Sequence, residues 1–131
     1  MLQGSMAVDA ANAIETPLLI MSGEVLGYGE GTFDPGSQWY RNLSVPGGTQ
    51  RLIEPMVKWT QQVASIDTLH ETIVRAGGMA QQTPKGPTHL CVLIETMLKP
   101  WEKSEVPRDV PRAPKLKPLA EDIERIARQI A

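Results

Sequence analysis

"LHETIVRAGGMAQQTPKGPTHLCVLIE", residues 69–95, holds two periodicities in succession. Leu69, Ile73 and Val74, with Ile66 before them and Ala80 after, recur at helical spacing. Ser65 or Asp67 can cap such a helix. Gly77 and Gly78 fall inside it and weaken it by roughly 1 kcal/mol each relative to alanine. A glycine pair there predicts a close approach to a neighbouring backbone. "TPKGP", residues 83–87, stops the helix. "THLCVLIE", residues 88–95, is then almost continuously apolar, the pattern of a strand buried on both faces of a parallel sheet.

Upstream the same alternation continues. "MVKWTQQV", residues 56–63, reads as a less apolar strand, with a short helical turn predicted over 49–55. Residues 26–48 are rich in Gly and Pro and predict a long loop. "LLIMSG", residues 18–23, reads as another strand buried on both faces. "AVDAANAI", residues 7–14, suits a helix that Thr16-Pro17 ends. Residues 1–5 look like a cloning scar ahead of Met6 and carry no weight here.

Downstream, residues 99–117 hold Pro100, Pro107, Pro111 and Pro114 among charged side chains and read as a linker. Pro118 opens a last helix, in which Leu119, Ile123, Ile126, Ala127 and Ile130 make one apolar stripe. The expected fold class is α/β. It has a partial parallel sheet of about three strands flanked by helices, then a Pro-rich linker and a C-terminal amphipathic helix.

The 131 residues suffice for one modest core, and 41% hydrophobic with 21% charged is an ordinary globular balance. A net charge of −2 argues against a nucleic-acid partner. No apolar run is long enough to span a bilayer, and no secretory leader is recognisable. Cys91 is the single cysteine, which excludes an internal disulfide and fits a cytoplasmic location.

Three pieces together resemble the thiamine-diphosphate enzymes of the acetolactate synthase type: "TPLLIMSGE", "EPMVKWTQQV" and the stretch at 69–98. The family pattern is a strand ending in Ser-Gly, then Pro-x-x-Lys-Trp, a helix, and Gly-Pro-x-His-Leu before a strand. Residues 55–59 and 86–90 match it. The resemblance places residues 6–98 in the second half of the family's N-terminal, pyrimidine-binding domain. Residues 99–117 would be the linker, and 118–131 the first helix of the central domain. It implies a 2-oxo acid decarboxylase or carboligase that uses thiamine diphosphate and magnesium. It also implies that the cofactor-protonating glutamate and the Gly-Asp-Gly of the diphosphate site lie outside this sequence. No residue here is therefore assigned a catalytic or metal-binding role, and neither cofactor is expected to bind this chain tightly alone. Lys58 and Trp59 would lie near the interface of two chains. Gln38 and Gln50 are candidates for the glutamine that approaches the cofactor.

Other side chains imitate known sites. His70-Glu71 looks like a catalytic pair but follows the Pro-x-x-Lys-Trp stretch, so Glu71 reads as a helix-surface carboxylate. Gly27, Gly29 and Gly31 lack the rest of a phosphate-loop fingerprint. His89 and Cys91 share one face of a strand without further metal ligands. Cys91 has no evident orienting partner for nucleophilic work. Ser22 lacks a nucleophile-elbow context. A half sheet leaves an unpaired edge, so a homodimer is expected, alongside the remainder of a parent enzyme as partner. The rival reading is a free-standing interaction module derived from the same fold. A weaker one is a small nucleotide binder using the Gly-rich loop.

Overall fold

The computed structural model describes residues 2–24, 48–101 and 112–130. Helix α1, Ser5–Ala13, follows a 3-10 turn over Leu2–Gly4. Strand β1 is Leu18–Glu24, and helix α2 is Gly48–Ile53. Strand β2, Trp59–Val63, leads through helix α3, Ile66–Gln81, to strand β3, Pro87–Leu93. A short helix α4, Ile94–Met97, and helix α5, Ala120–Ile130, complete the order. The three strands form one parallel sheet in the order β1-β3-β2. The expected α/β class with a partial parallel sheet is what the chain adopts. Residues 112–119 run without regular structure into α5. The expected loop over 26–48 lies almost wholly outside the described residues, as do Gly27, Gly29, Gly31 and Gln38.

The central strand explains its own composition. Every residue of β3 is buried, because β1 and β2 flank it and helices cover its faces. On one face Leu90 and Val92 join Val63 and Ala76 in the core, with Leu19, Trp59, Leu69 and Ile73 packed around them. The register places His89 and Cys91 on the other face, beside Ile20, Ser22, Thr60 and Gln62. Ser65 caps α3 by accepting the Asp67 N–H, so of the two possible caps the serine serves.

Four local expectations are corrected. β1 is not buried on both faces: Leu18 and Met21 are exposed, because β1 lies at the sheet edge. The second strand starts at Trp59 rather than Met56. Glu54–Met56 instead form a 3-10 turn with proline in its first turn, and Lys58 N–H bonds to Pro87 O at 2.8 Å. The third strand ends at Leu93, where Ile94 enters α4. Gly77 and Gly78 mark no close approach, since a Cβ added at either meets nothing within 4 Å. The glycine that backbone geometry does require is Gly48, whose φ of 85° opens α2.

The apolar stripe of α5 is present and uncovered: Leu119, Ile123, Ile126 and Ile130 are all exposed, and no residue of the helix is buried. Its supporting pairs are Arg125 to Asp122 at 2.7 Å and Arg128 to Glu124 at 3.2 Å. The first replaces the Glu121–Arg125 pairing that i,i+4 spacing offers. No helix among the described residues is long and apolar enough to cross a membrane.

Candidate functional site

All three strands run the same way, so their carboxyl ends share one edge of the sheet, the usual ligand edge of open α/β folds. Glu24 ends β1 there. Its Oε2 accepts the Thr49 N–H at 2.7 Å, tying the first turn of α2 to the sheet. The Cys91 thiol donates to the same oxygen at 3.7 Å.

Behind this edge lies a chain of polar groups that crosses all three strands. His89 Nε2 is 2.8 Å from Ser22 Oγ on β1, and His89 Nδ1 is 2.9 Å from Thr60 Oγ1 on β2. Each hydroxyl can donate or accept, so either neutral tautomer is satisfied at both nitrogens. The imidazole is fully buried. Desolvation holds its pKa below the usual 6.5, against a weaker upward pull from the Glu24 carboxylate. His89 therefore stays neutral and braces the sheet.

The Ser22–His89 pair resembles a nucleophile and base, but its third member is the neutral Thr60 hydroxyl rather than a carboxylate, and the ring has no exposed surface. Burial pushes the Cys91 thiol up to about 11. A hydrogen bond with Ser22 draws it down, and the Glu24 charge and hydrogen bond raise it further. It is a thiol at neutral pH, which removes it as a nucleophile. Thr96 in α4 is buried with its hydroxyl unbonded.

The sequence-based candidates are placed as follows. Gln50 sits half-buried on α2. His70 and Glu71 are exposed on α3. Trp59 packs against the core, with the Arg75 guanidinium 5.7 Å from its ring centroid. Lys58 Nζ donates to Gln82 O at 2.6 Å and Pro84 O at 2.7 Å, pinning the loop between α3 and β3. Lys58→Met should lower folding stability by about 1 kcal/mol, since two charge-assisted bonds to exposed carbonyls are lost. A urea midpoint indistinguishable from wild type would show that water replaces the ammonium without loss.

Sequence reading found His89 and Cys91 but not Ser22, Thr60 and Glu24 as their partners. Among the described residues no group of three or more His, Cys, Asp or Glu side chains is placed to hold a metal. The one carboxylate at the ligand edge of β1 is already engaged by Thr49 and Cys91. The described residues thus do not by themselves fit a magnesium–diphosphate site.

No family model matches the chain, and no curated protein matches it. Among solved structures it is similar to benzoylformate decarboxylase from Polynucleobacter necessarius, with a TM-score of 0.63 and 22% sequence identity. The similarity covers 94% of this chain and 21% of the decarboxylase chain. What this chain shares with that enzyme, over a fifth of the enzyme's length, is the fold.

Proposed function

We propose that the chain is part of a thiamine-diphosphate-dependent enzyme acting on 2-oxo acids, of the acetolactate synthase type. In this reading residues 6–98 are the second half of the N-terminal, pyrimidine-binding domain. Residues 99–117 form the linker, and 118–131 start the central domain. The observation that carries the reading is the shared fold with a decarboxylase over 94% of the chain. The motifs at 55–59 and 86–90 support it independently.

The parent reaction would be decarboxylation of a 2-oxo acid, followed by carboligation or release. Thiamine diphosphate supplies the carbanion chemistry when bound. This chain's own residues do no proton transfer in that scheme. The His89 relay keeps β1, β3 and β2 in register, and Glu24 seats α2 at the ligand edge. Lys58 and Trp59 would approach a partner chain at the start of β2.

The purified 131-residue chain should show no turnover of benzoylformate or pyruvate with thiamine diphosphate and magnesium, and no magnesium-dependent cofactor binding by calorimetry. Turnover, or binding that needs magnesium, would overturn the reading.

A second reading is a stand-alone dimerisation module. The exposed β1 edge, with Leu18 and Met21, and the uncovered stripe of α5 favour it. Light scattering tests this second reading. A homodimer whose mass ignores the cofactor supports the module, whereas a monomer removes it.

A further inference from the structure

A cleft of about 680 Å³ lies between the last turns of α3 and the extended strap at 112–117. Its volume is in the range of small-molecule sites. Gly77 and Gly78 form part of its floor and leave open space where side chains would stand. Among the described residues four cations line it, Lys85, Arg112, Lys115 and Lys117, and no acidic one does. That concentration is unexpected in a chain of net charge −2.

The cations have no evident structural task. Among the described residues none of the four makes an ion pair or a hydrogen bond. They are not needed to cap α3 either. Gln82 N–H bonds to Gly78 O, Gly86 N–H bonds to Ala80 O, and Lys58 takes the carbonyls of Gln82 and Pro84. Four like charges around one concave surface repel each other and raise the local concentration of anions.

We propose that this cleft binds a small phosphate-bearing anion, with the phosphates among Lys85, Arg112, Lys115 and Lys117. Lysine and arginine are the usual holders of such groups. The Gly77-Gly78 floor lets the ligand approach the helix backbone. Leu116 supplies an apolar wall for any organic portion. The site is independent of the parent reaction proposed above, and magnesium is not required for it.

The test titrates the full chain with inorganic pyrophosphate by calorimetry at low salt, without magnesium. Saturable one-to-one binding is expected, weakened tenfold or more in Lys85→Ala/Lys117→Ala. In Arg125→Ala/Arg128→Ala, which removes as much charge from α5, the change should stay under twofold. Gly77→Leu fills the open space and should abolish binding. The thermal midpoint of Gly77→Leu itself should stay at or above that of the wild type, which separates loss of the site from loss of the fold. ADP in place of pyrophosphate reads the wall. Tighter binding engages Leu116, and equal affinity confines the site to phosphate; both support it. No saturable heat at millimolar pyrophosphate, or equal losses in the two charge variants, would overturn the proposal.

Discussion

Leu90→Ala is expected to lower folding stability by about 4 kcal/mol, in the upper part of the range for large-to-small core changes. Leu90 has no exposed surface and sits in the middle of the central strand. In the core it joins Val63 of β2, Ala76 of α3 and Val92 of its own strand. Ala76 is fully buried and has no longer side chain to swing into the space. Strands on both sides of β3 hold its backbone in place, so the cavity stays open. The check is a urea titration: the midpoint should fall with little change in slope. A loss below about 1.5 kcal/mol would mean that α3 settles onto the sheet, against the rigidity that the two flanking strands imply.

His89→Ala is expected to lower stability by about 3 kcal/mol, through two lost hydrogen bonds and a buried void. The hydroxyls of Ser22 and Thr60 would lose their common partner. His89→Gln, which keeps polar groups at similar reach, should recover part of that loss. The pH dependence supplies a sharper readout. Burial depresses the folded-state pKa of His89 below 6.5, so the unfolded chain takes up this proton more readily than the native one. The contribution is complete above pH 6.5 and is lost as pH falls through the folded-state value. The slope is at most about 1.4 kcal/mol per pH unit for one proton. In His89→Gln the stability difference between pH 7.5 and pH 5.5 should shrink relative to wild type. An identical difference in both proteins would mean that His89 does not carry this linkage.

The β2–α3–β3 unit was legible because its signals are contiguous. A capped amphipathic helix leads directly into a strand whose every residue is apolar or buried by necessity. The edge position of β1 was not legible. "LLIMSG" is as apolar as a central strand, and strand order depends on contacts between segments far apart in the chain. The start of β2 was misplaced because Pro55 favours a 3-10 turn where hydrophobicity alone favours extension. The His89 relay was hidden for a related reason. Ser22 and His89 stand 67 positions apart and Thr60 and His89 stand 29 apart, so only the sheet register brings them together. The available signal was a handful of polar residues spread over three strand patterns, and which of them meet needed the strand order. The basic cleft gave even less warning, since Lys85 and the strap at 112–117 belong to separate loop-like stretches.

The long separation between β1 and β3 also bears on how the chain folds. β2, α3 and β3 can assemble from neighbouring residues, whereas β1 must be recruited across a far larger loop. In equilibrium terms the difference is small. Closing 67 rather than 29 residues adds only about 0.7 kcal/mol of chain entropy. In kinetic terms it delays the step that completes the His89 relay, so mutations at Ser22 should chiefly quicken unfolding and leave the folding rate nearly unchanged. β1 is thus expected to join last and leave first, which stopped-flow folding of a Ser22→Ala variant would check. The interval in which it is detached is when its apolar sequence is most open to pairing with another copy of itself.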